Sequence, residues 1–181
     1  MKNIVWKYGL LAVLILGLGM TYSVIRCLDG HIDASGQIIG YTVMVLAFIA
    51  VFFGVRAYRE EQGGTITFGR AFKVGLLITL VVCAVYVIGW EIAFWGFIPD
   101  FGERYAAGTI AKMQASGASA AEIAKERAEM AQFVQLYKNP LFNIGMTFLE
   151  IFPVGLIMAL ISAAILRRKT PPAQRSVVAT A

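Results

Sequence analysis

The sequence predicts an all-α protein, a four-helix transmembrane bundle with an external (periplasmic) helical hairpin between its third and fourth spans. Of the 181 residues, 59% are hydrophobic and 15% are charged, whereas a soluble domain carries about 25% charged residues. The apolar residues form four blocks, each long enough to cross a bilayer, which takes about 20 residues. Nothing is left over for a second core, so we expect residues 1–169 to form a single membrane domain.

The four predicted spans follow one another without an obvious internal repeat. They cover residues 6–25, 36–55, 71–98 and 141–166. The first block exceeds the apolar part of a signal peptide and lacks a small-residue cleavage site, so we expect it to stay as a span. The segment 170–181 is small, polar and proline-bearing, which predicts a disordered cytoplasmic tail.

The distribution of Lys and Arg predicts the orientation. Ten of these residues lie on the side that holds both ends of the chain, and six lie on the other side, five of them within the long insertion 99–140. Since cytoplasmic loops carry the excess of positive charge, both termini are predicted to be cytoplasmic and the insertion external. The positive charge follows topology rather than one basic face, so no nucleic-acid partner is expected.

The insertion 99–140 predicts two helices with a break at residues 116–118. Ser119 and Glu122 have the spacing of a capping box, in which each side chain satisfies a free backbone N–H. The apolar positions recur at helical spacing, namely Ala106, Ile110 and Met113 on the first helix and Ile123, Met130, Phe133 and Tyr137 on the second. The hairpin is either a packed cap on the bundle or a docking surface for an external protein partner.

Acidic residues inside apolar spans are the positions that most need an explanation. A carboxylate at the bilayer centre costs about 2.5–3.5 kcal/mol, so it is normally paired, protonated or functional. Two exist, Glu91 and Glu150. Counted from the cytoplasmic charges at 1.5 Å per residue, they lie at depths of about 27 and 26 Å.

The same count places polar groups of the other two spans in this layer. Arg26 and Gln37 lie at depths of about 28 Å and Tyr41 at about 22 Å. The sharp hypothesis is an intramembrane polar cluster of Arg26, Glu91 and Glu150 with Gln37 and Tyr41 nearby. The plain alternative is that these groups reach the headgroups and only stabilise packing.

Pro153 lies three residues after Glu150 and predicts a helix kink. It has no N–H to donate to the carbonyl of Leu149, so a free acceptor would lie beside the carboxylate. Asn143, Thr147 and Glu150 share one helical face.

The sequence contains no catalytic, cofactor-binding or metal-ligating constellation. The single histidine, His31, lies between two aspartates in a loop and is most simply a solvated side chain. Cys27 and Cys83 lie at different predicted depths, so we expect two free thiols.

Two small-xxx-small patterns allow close helix contact. They are Gly36–Gly40 and Gly155–Ala159. Packing within the chain is the simpler interpretation and a homo-oligomer the alternative.

Three functional hypotheses remain. The first is a non-enzymatic structural or interaction protein, favoured because no nucleophile–base pair or cofactor motif is present. The second is a small transporter or a proton- or ion-conducting protein that uses Glu91 and Glu150. The third, a membrane-embedded lipid-modifying enzyme, has the least support.

Residues 4–169 resemble the bacterial family described as domain of unknown function 4199. The resemblance rests on Gly64–Gly75, Val87–Glu91, Tyr137–Phe142 and Thr147–Gly155. It implies a small multi-pass protein of the bacterial inner membrane with no assigned activity, no cofactor, and no site residues to carry over.

Overall fold

A computed structural model describes residues 1–29 and 34–168 of the chain, and within 34–37 it describes the backbone alone. Six α-helices account for the regular structure of these residues, which confirms the predicted all-α class. They are α1 (Lys2–Leu28), α2 (Ala34–Glu61), α3 (Phe68–Phe97), α4 (Phe101–Ala115), α5 (Ala120–Tyr137) and α6 (Pro140–Leu166). Four of them, α1, α2, α3 and α6, are long and apolar enough to cross a membrane. The predicted tail 170–181 and His31 lie outside the described residues.

The helices extend beyond the predicted spans. α2 continues to Glu61 rather than ending at residue 55, and in this extension Arg56 and Glu60, one helical turn apart, form an ion pair at 3.0 Å. Its end is a tight turn in which Gly63 and Gly64 have φ of 75° and 84°. The Gly64 N–H donates to the carbonyl of Arg59 at 3.0 Å, a helix ending that needs glycine's left-handed conformation.

The two helices α4 and α5 form the predicted hairpin. α5 begins with the predicted capping box, since the Ser119 side chain accepts from the Glu122 N–H and the Glu122 carboxylate accepts from the Ser119 N–H. Ile110, Val134 and Tyr137 are buried, as is Gly102, whose place against Val134 no apolar pattern could predict. Two of the predicted apolar positions, Ile110 and Tyr137, are therefore buried, and the contact between Gly102 and Val134 joins the two helices of the hairpin to each other.

The chain divides into two compact units. The first unit comprises Met1–Ile15, Met44–Val85 and the chain from Ile151, and the second comprises Leu16–Val43 and Tyr86–Glu150. Each unit contains a part of all four long helices, and the α4–α5 hairpin belongs to the second. The prediction of a single membrane domain stays a prediction.

In the first unit, glycines bring helices together. A Cβ on Gly155 would collide with Thr79 and the Phe48 ring, and a Cβ on Gly75 would lie 3.2 Å from the Ala159 Cα. The Thr79 hydroxyl donates to the Gly155 carbonyl at 3.2 Å. The Gly155–Ala159 pattern thus serves packing within the chain, whereas Gly40 has nothing within 4 Å.

Candidate functional site

Four side chains of the second unit form a set of hydrogen bonds where α3, α5 and α6 meet. Trp90 Nε1 lies 3.0 Å from both the Tyr137 hydroxyl and Asn143 Oδ1. The Thr147 hydroxyl donates to Asn143 Oδ1 at 3.3 Å, and Asn143 Nδ2 donates to the Tyr137 carbonyl at 3.4 Å. We call Trp90, Tyr137, Asn143 and Thr147 the indole–amide network.

The chain between α5 and α6 positions two members of this network. Asn139 caps α6, because its side-chain oxygen accepts from the Leu141 N–H at 2.9 Å. Pro140 occupies the first helical position, where its missing N–H costs nothing. Asn143, one turn later, is fully buried, and a buried amide is stable only when it is hydrogen-bonded.

Aromatic rings enclose the network. Phe101 lies edge-on to Trp90 with ring centroids 5.1 Å apart, and Phe94 and Phe133 lie 5.4 and 5.2 Å from Tyr137. The Phe101–Trp90 and Phe94–Tyr137 pairs are edge-on, which is a favourable arrangement for aromatic rings. Together they attach α4 and α5 to α3.

Residues at the start of α4 and directly after α5 form ion pairs and hydrogen bonds. Lys138 Nζ lies 2.7 Å from a carboxylate oxygen of Glu103, and this hydrogen bond holds the pKa of Glu103 below its ordinary value. Arg104 donates to the Cys27 carbonyl at 3.2 Å and to Asp100 at 2.8 Å. The Glu103–Lys138 pair therefore joins the two ends of the hairpin to each other, and Arg104 joins the start of α4 to the end of α1.

The acidic members of the predicted polar cluster lie next to the indole–amide network. Burial raises the pKa of Tyr137 to about 12, and the charges of Glu150 and Glu91 act in the same direction. Hydrogen bonds with Trp90 and Thr147 partly oppose this rise. Both carboxylates thus lie within electrostatic reach of one phenol.

Glu91 makes its hydrogen bond within its own helix. One carboxylate oxygen accepts from Trp95 Nε1 at 3.0 Å. The other, Oε1, is enclosed and accepts no hydrogen bond from any residue that the structure describes. Glu150, by contrast, has an exposed side chain.

The remaining predicted members of the cluster are Arg26, Tyr41 and Gln37. Arg26 donates to the Tyr22 hydroxyl at 3.3 Å, one turn earlier on α1. Tyr41 is 55% exposed, and the side chain of Gln37 lies outside what the structure describes. The cluster as a whole stays a prediction, as does the kink, since α6 continues as a helix through Pro153.

Trp90 is the member of the network that the sequence did not indicate. A tryptophan in an apolar block indicates a packing or interfacial residue. The hydrogen-bond partners of Trp90 lie about 50 residues further along the chain. In the described part of the chain, His, Cys, Asp and Glu form no group of three that could hold a metal ion. Cys27 and Cys83 are buried free thiols.

The sequence matches a known protein family. The family described as "Protein of unknown function (DUF4199)" matches residues 7–168, nearly the whole chain. The chain belongs to the DUF4199 family. No curated protein and no solved structure matches it.

Three segments that carry the DUF4199 resemblance supply three of the four members of the indole–amide network, and Asn143 lies between two of these segments. Trp90 lies in Val87–Glu91, Tyr137 in Tyr137–Phe142, and Thr147 in Thr147–Gly155. The segment Gly64–Gly75 lies in the first unit and includes the turn before α3. Membership of the family assigns no activity to these residues.

Proposed function

We propose that this DUF4199 protein is a non-enzymatic membrane protein that presents the α4–α5 hairpin as a rigid docking surface for a protein partner outside the membrane. Its four long helices cross the bacterial inner membrane with both termini in the cytoplasm, in the orientation that its Lys and Arg residues favour. The observation that carries the proposal is the attachment of the hairpin to the long helices through the indole–amide network and the bond from Arg104 to the Cys27 carbonyl.

Rigid attachment favours docking because it removes an ordering cost. A hairpin that is closed at its base and bonded to α1, α3 and α6 keeps its outward side chains in place before a partner arrives, so binding loses less conformational entropy. The outward side of α5 carries a shallow open groove lined by Ala131, Gln132, Gln135 and Leu136. Leu136 is 52% exposed there, and apolar side chains between polar ones are typical of a contact surface.

A site-specific cross-linking experiment tests the proposal in intact cells. A photo-cross-linking amino acid replaces Gln132 in the groove or, as the control, the exposed Gln114 near the end of α4. We expect one discrete protein adduct from position 132 and none from position 114. The adduct should weaken in the Trp90→Phe/Asn143→Leu variant, in which the hairpin loses its polar attachment.

Two outcomes would contradict the docking proposal. One is an adduct of equal yield from both positions. The other is an adduct that is unaffected in the network variant while that variant remains in the membrane fraction.

A second candidate function is proton or ion conduction through Glu91 and Glu150. It is favoured by the enclosed Glu91 Oε1, which accepts no hydrogen bond from the described residues, since an unsatisfied buried carboxylate oxygen is costly to keep without a role. Liposomes containing the purified protein should then show a pH- or cation-dependent flux that Glu91→Gln and Glu150→Gln abolish. Absence of flux in the unmodified protein would exclude this candidate.

A further inference from the structure

The end of the first unit that contains the α2–α3 turn carries a group of cations beside two aromatic rings. Arg70 and Lys73 lie in the first turns of α3, and Arg167 and Arg168 directly follow α6. All four side chains are exposed. None of them forms an ion pair within the described residues, whereas Arg56 on α2 pairs with Glu60.

Backbone contacts place these four cations on one rim. Ile66 and Arg168 exchange both backbone hydrogen bonds, at 3.1 and 2.9 Å. Further along the same helix pair, Gly75 lies against Ala159. The start of α3 and the end of α6 therefore run antiparallel and side by side, which brings Arg70 close to Arg167 and Arg168.

Two phenylalanines lie in the same turns of α3. The Phe68 and Phe72 rings are stacked with centroids 6.2 Å apart and an interplanar angle of 4°. Phe68 is 40% exposed. Aromatic rings at a helix end are typical of the level where headgroups meet acyl chains.

We propose that Arg70, Lys73, Arg167 and Arg168, with Phe68 and Phe72, form a binding site for an anionic phospholipid. Arginine donates paired hydrogen bonds that match phosphate oxygens. Basic residues at a membrane surface attract anionic headgroups, and the stacked rings offer an apolar surface to the glycerol and upper acyl region. The site lies in the first unit and does not depend on the docking role of the hairpin.

The backbone bridge between Ile66 and Arg168 also has a role in this site. Without it, the residues after α6 would lose their fixed place next to the start of α3. The bridge holds the Arg168 backbone against Ile66, so that cations from the start of α3 and from the end of α6 lie at the same end of this unit.

Electron spin resonance of spin-labelled lipids tests the site with the full-length protein. The protein is reconstituted in phosphatidylcholine, and the association of spin-labelled phosphatidylglycerol is compared with that of spin-labelled phosphatidylcholine. We expect a preference of about fivefold or more for the anionic lipid. The Arg70→Gln/Arg167→Gln/Arg168→Gln variant should lose most of this preference.

A matched control removes three exposed cations that lie outside the site. The Lys2→Gln/Lys7→Gln/Arg56→Gln variant carries the same total charge as the test variant, and we expect it to keep the preference. Equal losses in both variants, or no preference in the unmodified protein, would overturn the proposal. Should the test variant fail to fold, the Arg167→Gln/Arg168→Gln variant, altered only after α6, replaces it and should lose part of the preference.

Inorganic phosphate distinguishes a lipid from a free anion. At matched ionic strength, phosphate should leave the anionic lipid bound, because phosphate cannot occupy the apolar part of the site. Complete displacement of the lipid by phosphate, with chloride inactive, would show a site for a soluble anion and contradict the lipid proposal.

Discussion

Asn143 makes three of the hydrogen bonds in the indole–amide network. It is fully buried, and its side-chain oxygen accepts from Trp90 and Thr147 while its amide donates to the Tyr137 carbonyl. Removing one partner of a buried polar group leaves the other unsatisfied. Removing a single side chain of the network should therefore lower the free energy of unfolding by more than the loss of one exposed hydrogen bond would.

Substitution of Trp90 by phenylalanine tests this directly. The ring contact with Phe101 is largely kept, but the N–H that serves Tyr137 and Asn143 is lost. We expect a loss of about 1–3 kcal/mol in the free energy of unfolding, measured by denaturation in detergent micelles. Trp6→Phe, at a position 48% exposed, is the control and should change little. Similar losses in the two variants would contradict a role for the network.

Glu103 gives the hairpin a predictable pH dependence. Its hydrogen bond from Lys138 lowers the pKa of Glu103 in the folded state. The pair therefore contributes stability above the ordinary carboxyl pKa, and the contribution is lost as the pH falls through the lowered folded value. Both side chains are about half exposed, at 47% and 46%, so the effect is at most about 1 kcal/mol.

Thermal unfolding of the unmodified protein and of Glu103→Gln, followed from pH 7 to pH 3, measures this contribution. The unmodified protein should be the more stable at pH 7, and the difference should shrink as the pH falls. Glu129→Gln removes a longer and more exposed pair with Lys125, at 3.7 Å, and should have a smaller effect at pH 7. A difference between the unmodified protein and Glu103→Gln that widens at low pH would refute the assignment.

The elements pack through small residues where helices approach closely. α6 shows this twice, since Gly155 meets Thr79 and Phe48, and Ala159 meets Gly75. Because lipid tails are as apolar as the side chains, close packing rather than hydrophobicity drives helices together in a membrane. The position of a glycine along α6 thus decides its effect.

Two glycines of α6 predict opposite results for the same substitution. Gly155→Ala places a methyl group against Thr79 and Phe48 and should destabilise the protein by about 1–3 kcal/mol. Gly145→Ala, which meets nothing within 4 Å, should be neutral or should stabilise by up to about 1 kcal/mol, since alanine favours a helix. Unfolding in detergent micelles compares the two variants. A greater loss of stability in Gly145→Ala than in Gly155→Ala would contradict the packing argument.

At the scale of the whole molecule, the proposed topology of four crossings places both ends of the chain on the same side of the membrane. α1 and α3 begin in the first unit and end in the second, whereas α2 and α6 begin in the second and end in the first. α1 is the least buried of the four, with 17% of its apolar window buried against 44% for α3. Its outward leucines are suited to contact with lipid.

Reporter fusions test the orientation. Green fluorescent protein fused after Ala181 should fluoresce, and alkaline phosphatase fused after Ala181 should be inactive, because the end of the chain is expected in the cytoplasm. Alkaline phosphatase inserted at Gly117, the positive-φ residue between α4 and α5, should be active. The reverse pattern would invalidate the predicted topology, and release of the protein without detergent would invalidate membrane insertion itself.

The predictability of the candidate site differs from residue to residue. The capping box of α5 and the end of α5 before Pro140 depend on neighbours within a few positions, so local spacing predicts them. The bonds from Trp90 to Tyr137 and Asn143 join residues about 50 positions apart, and no local pattern encodes them. Glu91 and Glu150 stand out in the sequence because charge in an apolar span is rare, and the bond from Trp95 to Glu91 spans a single helical turn.

The sequence by itself determined the all-α class, the four apolar helices, the hairpin between the last two and its buried face. These follow from hydrophobic length and periodicity, because a backbone in hydrocarbon must satisfy its hydrogen bonds within each helix. Only the tertiary structure decided that Trp90 bonds Asn143, that Gly155 lies against Phe48 and that Ile66 pairs with Arg168. Such contacts depend on the rotation and register of one helix against another, and many registers satisfy the same apolar pattern until side-chain packing selects one.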